Sequence, residues 1–201
     1  MKWCSFIALF ILINFKIKGQ SYDLGTKVIY LGSSAAIRHL DQNITNSQTT
    51  DYYKTPIIAI GLDYCFSRIR EVSNSRLGIG PYFSTWSAKR IYTDDKNNQW
   101  EKSWSDFAFG ARFTHHLTYF IREKLDVCSG VIFGARYRHY HFIEKEQAGL
   151  PVNYRDKQWL PMAGITATIK YYFYKDIGLF AEGTLGYKTD SFLFGLCYKI
   201  N

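Results

Sequence analysis

The sequence predicts an all-β fold, an eight-stranded antiparallel up-and-down barrel. Two observations lead to this prediction. Large apolar residues alternate with small or polar residues in eight segments between residue 27 and the C-terminus, and a period of two is typical of β-strands whose two faces meet different environments. The chain is also 18% aromatic with 4 Pro, which favours the pleated surface of a sheet. No repeated unit or linker interrupts the pattern, so we expect one domain.

The first twenty residues are set apart from the predicted barrel. Lys2 precedes an apolar run from Trp3 to Phe15, which is shorter than the roughly 20 residues that a spanning helix needs. A basic start and a short apolar core are typical of a secretory signal peptide. We therefore expect residues 1–20 to be a cleaved signal peptide and residues 21–201 to form the barrel domain. No later segment suits a spanning helix, so insertion into a membrane would have to use strands.

The first four predicted strands oppose a row of large apolar residues to a row of small ones. In the second strand, Ile58 and Ile60 alternate with Ala59 and Gly61. Pro81 lies inside the third strand and has no N–H for the sheet ladder, so we expect a β-bulge there. The four strands cover residues 27–38, 56–66, 76–87 and 106–120.

The last four predicted strands continue this alternation to the C-terminus. In the fifth strand, Val131 and Phe133 oppose Gly130 and Gly134. Each strand is long enough for the roughly 9–11 residues that a tilted strand needs to cross a bilayer. The four strands cover residues 125–142, 162–174, 177–188 and 191–201. The apolar face of the terminal strand consists of Phe192, Phe194, Leu196, Tyr198 and Ile200.

Long and short connections alternate along the chain. Long polar stretches cover about 39–55, 88–104 and 143–161, whereas the strands around residues 121–124 and 175–176 are joined by short turns. This asymmetry is typical of transmembrane barrels, in which one rim carries long outer loops and the other carries short periplasmic turns. We expect both termini on the side of the short turns.

The smaller face of each strand indicates how the barrel is oriented. A soluble barrel would turn its apolar face inward. Here the opposite face is rich in Gly, Ala, Ser and Thr, whereas a water-exposed face would carry more Lys, Glu, Asp and Asn. Eight large apolar faces would also overfill a barrel of this size. We therefore predict a transmembrane barrel with its apolar side chains toward lipid and its small and charged side chains inside.

Charged residues on the small face are predicted to form a network inside the barrel. A buried unpaired charge costs several kcal/mol, so we expect Glu182 to lie across the lumen from Arg112 or Arg136. The network could be a gate for ions or a packed polar core, and we favour the core because small barrels have filled interiors. Four further charges are expected to meet water near a rim: Asp126, Arg138, Lys188 and Lys199. The predicted interior network is Asp63, Arg112, Arg136, Lys170 and Glu182.

The net charge and the cysteines argue against two further classes of site. The formal net charge is +8, falling to +5 without the three lysines before residue 21. No basic run or nucleic-acid motif accompanies this charge, so no nucleic-acid partner is predicted. Cys65, Cys128 and Cys197 are odd in number and lack C-x-x-C spacing, so neither a disulfide framework nor a zinc site is predicted.

Catalytic and metal chemistry is weakly indicated. His139 and His141 share a face and could hold a metal, but no third ligand is evident. Ser103 or Ser105 with one of these histidines and Glu144 could form a nucleophile, base and orienting carboxylate, yet no nucleophile elbow is present. We predict no catalytic, cofactor or metal site, and therefore no enzyme.

Aromatic residues cluster where strands meet connections. We interpret them as girdles at the level of the lipid headgroups, with a sugar- or protein-binding rim as the alternative. They are Tyr52, Tyr53, Trp86, Tyr92, Trp100, Trp104, Tyr140, Trp159 and Tyr171 to Tyr174.

Three features carry a resemblance to a known family: the expected signal peptide, the eight alternating segments and the terminal strand 191–201 with its apolar face. Residues 21–201 resemble the small outer-membrane β-barrels of double-membraned bacteria, the OmpA/OmpX-like and "porin family" barrels. The resemblance implies a place in the bacterial outer membrane, contact with outer-membrane lipid, and recognition of the terminal strand by the outer-membrane insertion machinery. We expect a structural or surface-interaction role, with the long loops presented to surface proteins or glycans. A narrow pore for ions or small solutes and a lipid-modifying enzyme are the alternatives.

Overall fold

The chain folds as a series of antiparallel β-strands. The computed structural model describes residues 22–34, 48–69, 75–93, 99–117, 124–145, 153–190 and 192–200, so the expected signal peptide lies outside the described residues. Within those ranges no helix is long and apolar enough to cross a membrane. The strands are β1 Lys27–Ser34, β2 Gln48–Lys54, β3 Ile57–Ile69, β4 Ser75–Thr93, β5 Gln99–His116, β6 Leu125–Lys145, β7 Asn153–Tyr174, β8 Ile177–Tyr187 and β9 Phe192–Ile200.

Eight of these strands form a closed ring. From β3 to β9 each strand pairs antiparallel with the next, and the ring closes because β1 pairs with both β3 and β9. At the seam, Lys27 lies opposite Ile200 and Ser33 lies opposite Phe194. The predicted all-β, up-and-down antiparallel barrel is confirmed. Closure leaves no unpaired edge around the ring, as a barrel in lipid requires.

Strand β2 is an outward extension of β3, interrupted where the chain contains Pro56. Both strands pair with β4, β2 through Lys54 opposite Ala88 and β3 through Ile58 opposite Thr85. Proline has no N–H to donate to the ladder. Beside it, the Thr55 N–H donates to the Ser87 carbonyl oxygen at 2.9 Å, and the Ser87 N–H donates to Thr55 Oγ1 at 2.8 Å. These bonds hold the broken strand in the sheet.

Most of the residues expected in long loops are paired strand instead. β4 runs to Thr93 and β5 starts at Gln99, while β6 runs to Lys145 and β7 starts at Asn153. The predicted loops 88–104 and 143–161 are therefore largely wrong, and residues 48–54 of the predicted loop 39–55 are β2. The strands continue because aromatic and β-branched residues persist beyond the membrane-length segments. We call residues 48–54, 87–93, 99–105, 139–145 and 153–158 the projecting sheet.

The barrel has two different ends. The inner end carries the Lys175–Asp176 turn and the strand termini Lys27 and Ile200, and the outer end carries the projecting sheet. At the inner end the Asp23 carboxylate accepts a 2.6 Å bond from the Leu24 N–H and pairs with Arg68. The backbone hydrogen bond, and then the Arg68 guanidinium, lower the pKa of Asp23 below its usual range. These contacts fasten the segment before β1 to β3.

Pro81 causes no β-bulge, contrary to our expectation. The β3–β4 register runs unchanged from Gly61 opposite Tyr82 to Tyr64 opposite Ile79, and β4 keeps Pro81 opposite Ala111 of β5. The irregularity lies instead where the register shifts between Cys65 and Ser67. The strand tolerates the proline because its N–H is missing only from one side of the ladder.

The large apolar side chains point away from the barrel axis. Phe109, Phe133 and Phe194 expose 38%, 49% and 51% of their surface, whereas Ala108 and Leu193, their neighbours in sequence, are fully buried. The terminal strand follows the same alternation. Its exposed residues are Phe192, Phe194, Leu196, Tyr198 and Ile200. A barrel with this surface presents an apolar band to its surroundings.

Some aromatic residues expected in outer girdles are buried. Trp86 and Tyr172 lie inside the barrel because their positions in β4 and β7 fall on the lumen-facing side, and Tyr92 is buried on the same side of β4 within the projecting sheet. Trp159 and Tyr53 are exposed, as a girdle would require. The lumen takes up large rings because a closed eight-stranded barrel must be filled by side chains.

Candidate functional site

The barrel interior is crossed by direct contacts at three levels. At the level nearest the inner end, Lys170 of β7 lies between two carboxylates, with Nζ 3.3 Å from Asp63 Oδ2 and 3.2 Å from Asp126 Oδ2. β7 and β3 are separated by three strands on either side of the ring, so the contact between Lys170 and Asp63 spans the lumen. All three residues are buried.

His116 completes this inner cluster. Its Nδ1 lies 2.8 Å from Asp126 Oδ1 and its Nε2 lies 3.1 Å from Asp63 Oδ2. Thr114 donates a further bond of 2.7 Å to Asp63 Oδ1. The ring of Tyr22, from the segment before β1, stacks on His116 with centroids 3.8 Å apart. Each carboxylate of the cluster therefore contacts both Lys170 and His116, and the Tyr22 ring lies against His116.

The middle level is the pair between Arg112 of β5 and Glu182 of β8. Arg112 Nη2 donates to Glu182 Oε2 at 2.6 Å, and Thr168 Oγ1 donates to the same oxygen at 2.8 Å. The guanidinium also lies over the ring of Tyr30, 4.7 Å from its centroid. Charge, hydrogen bonds and an aromatic face thus hold the arginine at the centre of the lumen.

The third level lies toward the outer end, around Arg136. Its Nη2 donates to Asp190 Oδ1 at 2.9 Å, and its Nε donates to the Lys188 carbonyl oxygen at 2.9 Å. Tyr82 and Ser84 of β4 each donate to Asp190 Oδ2 at 2.6 Å. The β8–β9 connection is thereby drawn into the barrel and tied to two strands that are not its neighbours.

Asp106 joins two arginines beside this third level. Arg138 donates to both of its carboxylate oxygens, at 2.9 and 3.0 Å, and Arg136 Nη1 lies 3.4 Å from Oδ2. The guanidinium and carboxylate planes therefore meet in the bidentate geometry that favours arginine over lysine.

The structure places the five predicted network residues inside the barrel but divides them among these levels. Asp63 and Lys170 belong to the inner cluster, and Glu182 pairs with Arg112, one of its two expected partners. Arg136 instead pairs with Asp106 and Asp190.

Two of the charges expected to meet water do not. Asp126 and Lys199 are each 2% exposed. Lys199 Nζ lies 4.4 Å from the centroid of the Tyr172 ring, and Asp126 is held by Lys170 and His116. The expectation was wrong because both side chains have these partners inside the barrel instead of lying at an open rim. Arg138 is partly exposed, with 26% of its side chain accessible.

Sequence reasoning missed four members of the interior contacts. Asp106 shares the parity of Ala108 and could have been found from the alternation. His116 follows His115 and therefore lies on the lumen-facing side of β5, but nothing in the sequence indicated its carboxylate partners. Asp190 lies in a connection and Tyr22 lies before the first strand, so no strand parity applies to them.

One group of residues in the inner cluster has the ligand types of a metal site. A carboxylate oxygen of Asp63, a ring nitrogen of His116 and the sulfur of Cys128 lie within 4.8 Å of one another. The Lys170 ammonium already contacts the Asp63 carboxylate, and a metal ion would have to compete with it. Thr114 also donates to Asp63, and the other ring nitrogen of His116 contacts Asp126.

The residues considered for catalysis are turned to the outside of the projecting sheet. Ser103 lies opposite His141 and Ser105 lies opposite His139 on the β5–β6 ladder. Ser103 Oγ donates to the His141 carbonyl oxygen at 3.5 Å, and His141 Nε2 lies 2.8 Å from Asn153 Oδ1. The Ser103 hydroxyl is thus bonded to the backbone rather than to an imidazole, and the position of the Glu144 side chain lies outside what the structure describes.

The outside of the projecting sheet also forms a shallow pocket of about 630 Å³. Hydroxyl, imidazole and lysine side chains from four strands line it, and His139 Nε2 is buried there without a hydrogen-bond partner. Its lining includes Tyr53, Lys54, Thr55, Ser87, Lys89, Ser103, Ser105, His139 and His141.

The sequence matches no family model and no curated protein. Among solved structures, the chain is similar to Ail, the attachment invasion locus protein of Yersinia pestis, with 12% identity and a TM-score of 0.44 over 89% of this chain and 100% of that chain. It is also similar to the N-terminal β-barrel domain of Pseudomonas aeruginosa OprF, with 12% identity and a TM-score of 0.32 over 88% of this chain and 98% of that chain. Similarity at this level carries no inference about function. The strands and contacts of the chain itself must supply that inference.

Proposed function

We propose that this protein is an integral barrel of the bacterial outer membrane that anchors a projecting sheet for contact with surface molecules. The observation that carries the proposal is the combination of an apolar exterior with an interior tied across its lumen. Apolar side chains exposed around a closed ring match the lipid-facing band of transmembrane barrels. Closure of the ring through β1 lets the described strands satisfy their backbone hydrogen bonds within the barrel, as a membrane requires.

The filled interior favours a structural role over a pore. Lys170 to Asp63, Arg112 to Glu182 and Arg136 to Asp190 bring opposite charges within 3.3 Å at three levels of the lumen. An ion path would have to break each of these pairs, and breaking a buried pair costs about 3–5 kcal/mol. The narrow pore remains the alternative to be tested.

The projecting sheet is the part of the barrel suited to interaction. β4 to β7 extend well past β8 and β9, and the exposed aromatic residues of the projecting sheet include Tyr53 of β2 and Tyr154 of β7. Aromatic side chains are enriched at binding surfaces because they bury much area at low entropic cost. We propose surface proteins or glycans as the partners of this sheet, and the insertion machinery as the partner of β9.

Fractionation and heat-modifiable migration test the membrane barrel. The protein should be found in the outer-membrane fraction, and unboiled samples should migrate differently from boiled ones because a closed barrel resists detergent unfolding. Recovery in the soluble periplasmic fraction would refute the proposal. Comparison of lipid A mass spectra with and without the protein tests the enzyme, and liposome swelling tests the pore.

A further inference from the structure

We infer that the outer face of the projecting sheet is a binding site for the phosphorylated headgroup of a membrane lipid. The inference rests on the proposed function, since it places this face at the level of the outer-leaflet headgroups. It assigns a chemical class of ligand to the pocket between β2, β4, β5 and β6, and to the cationic side chains that border it.

Register places basic and hydroxyl groups in two adjoining rows on this face. Ser105 lies opposite His139, which lies opposite Lys157. The next row outward is Lys89, Ser103, His141 and Arg155. Arg155 and Lys157 are exposed on β7. We call these residues, with Ser87, the basic patch.

The basic patch lies directly beside the apolar band. The next row toward the barrel contains Phe107, Tyr137 and Trp159, which are opposite one another in register. Trp159 is 64% exposed and its ring packs 4.9 Å from Tyr137. A lipid whose acyl chains lie along the apolar band would therefore place its headgroup on the basic patch. A water-soluble anion would contact the patch alone and would gain nothing from the apolar band.

The charges on this face favour a phosphate group. Lysine, arginine and hydroxyl side chains are the usual partners of phosphate oxygens. Two carboxylates, Asp51 and Glu101, lie in the row beyond Lys89 and Ser103 on this face, and Glu101 is paired with Lys89 at 2.9 Å. Asp156 follows Arg155 in β7 and therefore points to the other face, where it accepts a 2.6 Å bond from Gln158. The buried, unpartnered Nε2 of His139 adds a polar atom that a ligand could satisfy.

The inference is tested by counting bound lipid on the full-length mature protein in a non-ionic detergent. The probe is dioctanoyl phosphatidic acid, and retained lipid is counted by native mass spectrometry. Dioctanoylglycerol, which lacks the phosphate, and inorganic phosphate, which lacks the chains, form the parallel arms. Phosphatidic acid should be retained, the uncharged lipid should not, and inorganic phosphate should not displace phosphatidic acid at equal concentration.

Two variants with the same change in charge separate the patch from general attraction. The patch variant is Lys89→Gln/Arg155→Gln/Lys157→Gln, and the control variant is Lys27→Gln/Lys124→Gln/Lys175→Gln at the inner end. The patch variant should bind phosphatidic acid roughly tenfold or more weakly than the unsubstituted protein, because each cation near an anionic lipid contributes to binding. The control variant should change by less than about twofold.

Three results would overturn the inference: equal retention of phosphatidic acid by the two variants, retention of the uncharged lipid, or displacement by inorganic phosphate. Heat-modifiable migration is measured for every protein. Failure of the unsubstituted protein to insert into vesicles would contradict the proposed function itself. Equal lipid binding by the two variants, both inserted, would contradict this inference alone.

Discussion

Arg112 and Glu182 meet at 2.6 Å across the barrel although two strands separate them on the shorter way around the ring. The pair is buried, and Thr168 and Tyr30 surround it. It therefore joins opposite walls of the barrel rather than adjacent strands. The pair matters for stability because removing one partner would leave the other charge buried and unpaired in the lumen.

Removal of one member of this pair should destabilise the barrel strongly. Glu182→Leu leaves the Arg112 guanidinium buried without its carboxylate, and we expect a loss of about 3–5 kcal/mol. The free energy of unfolding is measured by urea titration of the protein in lipid vesicles, with tryptophan fluorescence as the signal. The double variant Arg112→Met/Glu182→Leu should recover part of the loss, with a coupling energy of about 1–3 kcal/mol. Additive effects of the two substitutions would contradict a direct interaction.

Removal of Lys170 at the inner level should destabilise the barrel about as much as removal of Glu182. Lys170→Met removes the ammonium that lies between the Asp63 and Asp126 carboxylates and leaves the His116 ring between them, so we expect a loss of about 3–5 kcal/mol in the free energy of unfolding. The matched control is Lys175→Met in the exposed β7–β8 turn, which should change stability by less than about 0.5 kcal/mol. The same unfolding assay compares the two. Similar small effects would mean that the inner cluster is not a buried ionic core.

Planar-bilayer recordings should show near-zero conductance for both the unsubstituted protein and Glu182→Ala. The variant opens only the middle level, because the contacts of Lys170 with Asp63 and of Arg136 with Asp190 remain above and below it. Discrete channel openings in Glu182→Ala, absent from the unsubstituted protein, would instead identify the pair as a gate.

A charged substitution in the apolar band should reduce the folding free energy most at the centre of the band. Val131 lies midway along the barrel part of β6, between Phe113 and Ile165 in register, and is 46% exposed. Val131→Arg should cost about 2–4 kcal/mol of folding free energy in vesicles, because it places a cation at the bilayer midplane. Leu24→Arg, in the exposed turn before β1, is the control and should be close to neutral. A neutral Val131→Arg would argue that this surface meets water.

The alternation of residues was sufficient to predict the barrel, the outward direction of the apolar side chains and the identity of most interior charges. Each of these follows from local rules: a strand places successive side chains on opposite faces, and a membrane barrel must turn its apolar face outward. The same parity would have supplied Asp106. Trp86 and Tyr92 were misplaced because their aromatic character suggested a girdle, although parity puts them on the lumen-facing side of β4.

The lengths of strands and the pairing of charges required the tertiary structure. Residues 88–93 and 99–105 read as polar loop, yet they continue as strands because each finds a partner across the hairpin. Pairing of the next strands, β5 with β6 and β6 with β7, widens the projecting sheet in the same way. Hydrogen bonding between strands is a property of the pair, so one segment read alone cannot show where it ends.

The sequence by itself determined which strand side chains face the lumen, since that depends on whether a position is odd or even within its strand. The tertiary structure decided which of them meet: Glu182 with Arg112 rather than Arg136, Arg136 with Asp190 from a connection, and Asp126 with Lys170 and His116 rather than with water. The physical reason is that partners across a closed barrel are chosen by its stagger and by the segments that cover its ends, and neither is encoded in the alternation of any one strand.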